Sequence, residues 1–319
     1  MEQLEPRHLT VLQELERGDS GLRSFSSVQS SLVMFPIHRF GSEAQKQHWL
    51  PRLARGEAIG CFGLTEPDSG SDPGAMQTCA VPLPGGGWRL SGRKMWITNG
   101  SVADVALVWA QTPEGIRGFL VERGTPGFSA PKIERKLSLR ASITSELLLD
   151  DVELGDDARL PGAEGLRAPL ACLTQARYGI AWGAIGAALA CFECALAYQK
   201  ERPQFGRPLA GFQLQQARFA DMLERLVNAQ LQAFRLGQLR DQGQLHHAQV
   251  SLAKRHNVRT ALETARSARH MLGASGITLD YPVMRHLANL ESVFTYEGTD
   301  DVHTLVLGEA VTGLSAFRG

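Results

Sequence analysis

Apolar positions change their period twice along the chain. Over residues 1–58 they recur at helical intervals, first Leu12 and Leu15, then Val28, Leu32 and Met34. Within that stretch Ser42-Glu-Ala-Gln-Lys-Gln-His-Trp-Leu-Pro51 reads as a capped helix that the proline stops. Over 59–160 the apolar runs shorten to Ile59–Leu64, Trp88–Leu90, Val105–Ala110, Gly118–Val121 and Glu146–Leu149. Turn signals at Pro82–Gly87, Ser91-Gly92, Asn99-Gly100, Pro126-Gly127 and Asp150-Asp151 separate them, which predicts an antiparallel barrel or sandwich. Over 161–319 helical spacing returns. Ala184–Glu201, Leu214–Gln242 and Gln249–Leu272, the last closed by Gly273, predict a helical bundle. The order helix, strand, helix predicts an α+β chain in three segments.

A chain of 319 residues is long enough to bury several large cores. Its 33 basic and 33 acidic residues cancel, so no global field favours nucleic acid or an anionic membrane as partner. The five cysteines are sparse and irregularly spaced, the pattern of reduced core thiols. Cys191-Phe-Glu-Cys194 has no second Cys/His pair at a convincing distance, so no metal is expected there. No apolar run reads as long enough to span a bilayer, and the start lacks a signal-peptide profile. The expected location is bacterial cytoplasm, or the mitochondrial matrix if the source is eukaryotic.

The chemistry-bearing residues are ordinary when taken one by one. Gly60-Cys-Phe-Gly-Leu-Thr-Glu-Pro-Asp-Ser-Gly-Ser-Asp-Pro73 packs glycines and hydroxyls into a turn after a strand. Such a turn presents N–H and O–H donors to an anion or a polar ring edge, and it also makes a plain loop. Lys94-Met-Trp-Ile-Thr-Asn-Gly100 reads as a strand running into an Asn-Gly turn, equally consistent with a hairpin around a core tryptophan. A carboxylate between Tyr296 and Gly298 is as much a turn residue as a base, and a lone Arg23 is most simply a surface ion pair.

Together with three more segments they resemble the acyl-CoA dehydrogenase family. Those segments are Glu201-Arg-Pro-Gln-Phe-Gly206 with Gln213, Met271-Leu-Gly-Ala-Ser-Gly276, and Tyr296-Glu-Gly-Thr299. Five motifs in order over nearly the whole chain make a specific signal. The closest branch is glutaryl-CoA dehydrogenase, through Leu15–Ser24 with Ser27–Met34, Ala176–Gly183 and Thr295–Thr299. The resemblance implies a β-barrel over 59–160, between a shortened N-terminal helical segment (1–58) and a C-terminal four-helix bundle (161–319).

It further implies FAD as cofactor and glutaryl-CoA as substrate, oxidised and decarboxylated to crotonyl-CoA in lysine and tryptophan degradation. Electron-transfer flavoprotein would be the acceptor, and the assembly a homotetramer. Glu297 maps to the catalytic base. Arg23 and Ser24 map to the pair that holds the far carboxylate, with Glu16 beside it; Ser71, Arg177, Tyr178, Tyr296 and Gly298 map to the substrate side. Flavin contacts map to Phe62, Leu64, Thr65, Gly70, Ser71, Trp96, Ile97 and Thr98, and to Met271, Leu272, Gly273, Thr299 and Asp301. Arg202 maps to the pyrophosphate and Gln213 to the adenine or its ribose, contacts that in the family often reach a neighbouring subunit's flavin, and Phe205 maps to a further cofactor contact. Short-chain acyl-CoA dehydrogenation and a non-catalytic assembly module are the alternatives.

Several positions depart from the family. The chain starts at what resembles the last of the N-terminal helices. Ala274-Ser275 stands for Gly-Asn, and Leu22 for an aromatic residue beside the arginine. Asp300 stands for histidine, and is expected to add negative charge near Glu297.

Overall fold

The computed structural model describes residues 6–317. Its N-terminal helices are α1 (Pro6–Gly18), α2 (Ser20–Ser27), α3 (Phe35–Phe40) and α4 (Glu43–Ala54). Seven strands follow: β1 (Gly60–Gly63), β2 (Cys79–Pro82), β3 (Trp88–Thr98), β4 (Val105–Thr112), β5 (Gly115–Glu122), β6 (Phe128–Ser129) and β7 (Thr144–Leu154). The remainder is α5 (Arg167–Glu201), a two-residue hairpin β8 (Pro203–Gln204) and β9 (Arg207–Pro208), then α6 (Gln213–Asp241), α7 (His247–Met271), α8 (Val283–Thr295) and α9 (Asp300–Thr312). The fold is therefore α+β. The described parts of Met1–Arg23, Leu137–Ala141 and Arg177–Gly319 form one compact unit, and Ser24–Lys136 with Ser142–Ala176 form a second, so the division falls inside α2 and α5.

The second unit is built on a sheet in the order β1-β4-β2-β3-β7-β6, with β5 also paired to β4. It is mixed, not antiparallel as expected: β1 runs parallel to β4, because a long connection carrying β2 and β3 separates them. β4 is apolar from Val105 to Ala110 because both faces of that stretch are covered. Val105, Leu107 and Trp109 join a core with α4 and the helical segment Val28–Met34, while Ala106, Val108 and Ala110 join a core with Phe119, Leu147 and Leu149. The π-helical turn at Val28–Met34 carries Gln29, whose amide donates to Leu53 O (3.0 Å) and Ala58 O (2.8 Å) and accepts from Gly60 N (2.9 Å). That amide sets where β1 starts.

Three local signals mislead. Ser91-Gly92 lies inside β3, at the register shift that faces β7, and does not end the strand. Pro51 lies inside α4, which runs on to Ala54 because Trp49 and Leu53 are buried in the core and the Ser42–Gln45 capping box fixes its start. Asp150-Asp151 lies inside β7, where Asp151 takes φ +50° opposite a register shift between Leu90 and Gly92. The expected break is thus a bulge.

The first unit packs α5, α6, α7 and α8 around Ile180, Ala184, Ala188, Leu226, Ala261, Ala265 and Leu290. Contrary to the sequence expectation, α5 is long and apolar enough to cross a membrane; 61% of its most apolar window is nevertheless buried within the protein. Its alanines and glycines serve close packing. A methyl at Gly179 would meet Leu12 Cδ1 at 2.9 Å, and one at Gly186 would run into Gln13 O, so α1 lies directly on this face. Cys191, in the same helix, is a buried core thiol with its pKa raised by desolvation.

Candidate active site

In the first unit the chain between α8 and α9 makes an unusual turn. Glu297 sits at φ +50° and Gly298 at φ +96°, two consecutive left-handed residues. Thr299 then caps α9 by accepting Val302 N at 3.1 Å. Left-handed backbone at a glutamate persists only where the surroundings hold it. Here the three carbonyls of Tyr296, Glu297 and Gly298 are each held by a cation. Lys254 Nζ donates to Tyr296 O (3.2 Å) and Gly298 O (2.8 Å), and Arg177 Nε donates to Glu297 O (2.7 Å). The Glu297 N–H meets no acceptor among the described residues.

The Glu297 carboxylate feels the charge of the same two cations and of Arg23 without pairing with any of them. Its Oε2 is sealed from solvent and has no hydrogen-bond partner among the described residues. Burial raises its pKa, outweighing the opposing pull of Arg23, Arg177 and Lys254. A carboxylate with a raised pKa and an unsatisfied oxygen is a ready proton acceptor.

Arg23 reaches this turn from α2. It is 1% exposed, its Nε donates to Glu16 Oε2 at 2.6 Å, and its Nη2 donates to Tyr296 Oη. Its guanidinium carbon stands 5.5 Å from the Tyr296 ring centroid. Glu16 is fully buried, and its Oε1 has no partner among the described residues. Room for the pair comes from Gly183 on α5: a methyl there would run into the Glu16 carboxylate and stand 3.1 Å from Arg23 Nε. Arg23 is thus a buried, paired cation, not the surface ion pair that its sequence context alone suggests.

Asp300 does not act on Glu297 as expected. Arg259 binds it through Nε (2.7 Å) and Nη2, and Arg255 Nε lies 3.7 Å away, so its charge is neutralised on the α7 side. Tyr178 is 2% exposed and packs with Ala181, Leu236, Val250 and Ala253, so its side chain is core. Thr299 serves as a helix cap and Asp301 is exposed in the first turn of α9. Met271 and Leu272 belong to the helical core, and Gly273 ends α7 at φ +60°. Arg202, Phe205 and Gln213 are exposed on or beside the β8–β9 hairpin; Phe205 is 93% exposed at φ +52°.

In the second unit the Thr65–Ser71 turn is pinned from below. Glu66 accepts Gln77 N (2.6 Å), Thr78 N (2.9 Å) and Lys94 Nζ (2.8 Å), and Lys94 also donates to Leu64 O at 3.1 Å. Burial pushes the Lys94 ammonium down to about 8, with Glu66 opposing. Next to Lys94 the β3–β7 ladder shifts register, and Trp96 stands out of it at φ +64°, 58% exposed. Gly70 and Ser71 are exposed and Thr65 and Thr98 half-buried. No hydrogen bond from the side chains of Thr65, Ser71 or Thr98 is seen among the described residues. An exposed indole face beside free hydroxyls on a braced turn suits a flat ring with polar edges. Phe62, Leu64 and Ile97, by contrast, are buried in the two cores, so only their backbone atoms remain for a ligand. Ser24, also in this unit, has a buried hydroxyl with no partner among the described residues.

Sequence reading missed Lys254 and His303. Lys254 sits in an amphipathic helix with nothing local to mark it. His303 is fully buried beneath Gly298, and burial, with Lys254 and Arg177, pushes it down to about 3, so it is neutral. A methyl at Gly298 would stand 2.9 Å from His303 Nε2 and 3.2 Å from Arg177 Nη2. We predict that Gly298→Ala lowers turnover at least about tenfold, because about 1–2 kcal/mol of left-handed strain is relieved by moving Glu297. Steady-state kinetics check it, and an unchanged kcat would contradict the placement.

Three family profiles match the chain: "Acyl-CoA dehydrogenase, N-terminal domain" over residues 6–57, "middle domain" over 61–152 and "C-terminal domain" over 163–312. The fold is similar to a crystal structure of glutaryl-CoA dehydrogenase from Mycobacterium smegmatis, at 60% identity and TM-score 0.96, covering 98% of this chain and 80% of that one. A second structure of a glutaryl-CoA dehydrogenase from that organism, in complex with FADH2, matches at 56% identity and TM-score 0.96 with the same coverage. The short-chain specific acyl-CoA dehydrogenase of Clostridium acetobutylicum is 38% identical over 309 residues, 94% of this chain and 80% of its own length.

Proposed function

The chain belongs to the acyl-CoA dehydrogenase family, and from that premise we propose that it carries out FAD-dependent oxidative decarboxylation of glutaryl-CoA to crotonyl-CoA and CO2. The observation that carries the glutaryl assignment is the buried Arg23, held between Glu16 and the Tyr296 that adjoins Glu297. A straight acyl chain offers a buried guanidinium nothing to bind, whereas a chain ending in carboxylate satisfies it bidentately. The 60% identical Mycobacterium smegmatis glutaryl-CoA dehydrogenase supports this reading.

Glu297 takes the α-proton of the thioester, and its own N–H donates to the thioester carbonyl as enolate charge develops. FAD, when bound, supplies the acceptor for the hydride that leaves the β-carbon. The Thr65, Ser71 and Thr98 hydroxyls, the Gly70 backbone and the Trp96 face would hold its ring. The unsaturated thioester then carries its carboxylate at the γ-carbon. The C–CO2 bond breaks, its electron pair passes into a dienolate, and Glu297 returns the proton. Arg23 and Ser24 orient the departing carboxylate, with Glu16 balancing the arginine.

The proposed assembly is a homotetramer. Leu223, Val227, Leu231 and Phe234 recur along one face of α6, all at least 43% exposed, which favours burial against another copy. Arg202, Phe205 and Gln213 would there meet a neighbour's dinucleotide. The proposed electron acceptor is electron-transfer flavoprotein.

A second reading, α,β-dehydrogenation of a straight short-chain acyl-CoA without loss of CO2, draws on the similarity to the short-chain enzyme. Comparing glutaryl-CoA with butyryl-CoA before and after Arg23→Ala separates the two. Truncating one partner of a buried charge pair costs about 2–5 kcal/mol, so kcat/KM for glutaryl-CoA should fall by roughly 10²–10³-fold while butyryl-CoA changes far less. Preference for butyryl-CoA in the unaltered protein would favour the second reading, whereas turnover of glutaryl-CoA without CO2 would remove only the decarboxylation step.

A further inference from the structure

We propose that Lys254 is a positioning residue for Glu297: it clamps the carbonyls on either side of the base and sets, through its charge, the pH range in which the base works. The proposal rests on Glu297 being the base.

The geometry is specific. Lys254 is 1% exposed on α7, and its Nζ spans Tyr296 O (3.2 Å) and Gly298 O (2.8 Å), skipping the residue between. A buried ammonium has three donors to satisfy, and these two carbonyls leave it bridging the turn that carries the carboxylate. With Arg177 on the intervening carbonyl, the left-handed pair at Glu297 and Gly298 has no freedom to relax. The Glu297 carboxylate itself has an oxygen with no partner among the described residues, so its direction is set by the backbone beneath it.

The charges that act on Lys254 come from the turn between α8 and α9 and from α9, α5 and α2. Glu297 from the turn and Asp300 from α9 favour its ammonium, while Arg177 from α5 and Arg23 from α2 oppose it. His303 from α9 is neutral, and Arg259 and Arg255 on α7 itself already hold Asp300. Burial is the largest influence, and the ammonium is pushed down to about 7. The clamp therefore weakens as pH rises through neutrality. Its charge also draws the pKa of Glu297 down, against the dominant effect of burial.

The sign follows for each group. Glu297 works deprotonated, which gives an acid limb; Lys254 works protonated, which gives a basic limb near neutral pH. Removing the charge moves the acid limb to higher pH and abolishes the basic one. The test is the pH profile of flavin reduction in the FAD-loaded protein from roughly pH 5.5 to 9, by stopped flow with saturating glutaryl-CoA. Lys254→Met should lower the rate at least about tenfold and change both limbs. Lys254→Gln, which keeps a donor without the charge, should recover part of the rate but not the basic limb. Lys254→Arg should restore a charge-dependent profile. Infrared titration of the Glu297 carboxyl, in the same holoprotein without substrate, should show the same upward shift in the two neutral variants. A merely structural lysine lowers the rate and leaves both limbs and the carboxyl titration in place, and that result overturns the proposal. Where a variant fails to hold flavin, the unaltered protein decides: a flat profile from pH 7 to 9 is the overturning result. If Glu297→Gln remains active, the underlying reading has failed instead.

Discussion

Replacing Glu297 with glutamine is expected to lower turnover by about 10⁴-fold, the upper range for a lost general base, while FAD stays bound. Glutamine has the shape of the carboxylic acid and accepts no proton, so the left-handed turn, the Lys254 bridge and the Arg177 contact should remain. The same substitution carries a stability signature with a definite sign. The folded-state pKa of Glu297 is raised by burial, so above the ordinary carboxylate pKa the folded protein retains a proton that the unfolded chain has lost. Stability contributed by this group is present below that pKa and declines as pH rises toward the folded value. At neutral pH Glu297→Gln should therefore unfold at a higher temperature than the unaltered protein, with the difference shrinking toward pH 4. Activity falling while stability rises is what a strained, desolvated catalytic group produces. Residual activity above about 1% would remove Glu297 from the role of base, and an unchanged melting temperature at neutral pH would mean its carboxylate is solvated.

Much of the fold was legible because period and local chemistry agreed. α7 was anticipated within two residues at its start and one at its end, since its apolar spacing ends at a left-handed Gly273. β4 was recognised because a strand covered on both faces is one continuous apolar run. Where a break was expected and none formed, the local signal was overruled by the packing around it. Pro51 could not stop α4 once Trp49 and Leu53 were anchored, and Asp151 bulged β7 without ending it. β2 went unnoticed because four residues with one buried position carry no pattern.

The site divides along the same line. Glu297 and Arg23 were named through their resemblance to family motifs, and the structure brings them into one unit around Tyr296. Lys254 could not be named, because a lysine among arginines on an amphipathic helix looks like any solvated residue; only its complete burial sets it apart. The neutralisation of Asp300 is hidden from the sequence for a related reason. The aspartate's charge is visible in the sequence, whereas the Arg259 fork, forty-one positions away, is not. Apolar residues such as Ile97 and Met271 sit within flavin-type motifs, yet their side chains turn into the cores, so a motif identifies a backbone path more securely than a set of contacts.

Glu16→Ala should be among the most destabilising single changes in the first unit, costing about 3–5 kcal/mol. Arg23 is 1% exposed, and without Glu16 its guanidinium would be left with Tyr296 Oη as its only acceptor among the described residues. The loss would come less from the missing attraction than from a buried charge with nothing to balance it. Two comparisons isolate that cause. Arg266→Ala removes an ion pair of similar length, Arg266 Nη2 to Glu291 Oε1 at 3.0 Å, whose side chains are 58% and 54% exposed. It should cost no more than about 1 kcal/mol. Glu16→Leu combined with Arg23→Met replaces both charges with apolar groups of similar bulk, and should recover much of the stability lost in Glu16→Ala. Urea unfolding midpoints of the three variants check the order. If Glu16→Ala and Arg266→Ala proved equally mild, Arg23 would have to be reaching water, and the case for a buried guanidinium awaiting a second carboxylate would fall with it. If the order holds, Glu16 keeps that arginine paired and in place while no acyl chain is bound, and Gly183, the position where a methyl would strike the pair, is the residue that allows it to be there.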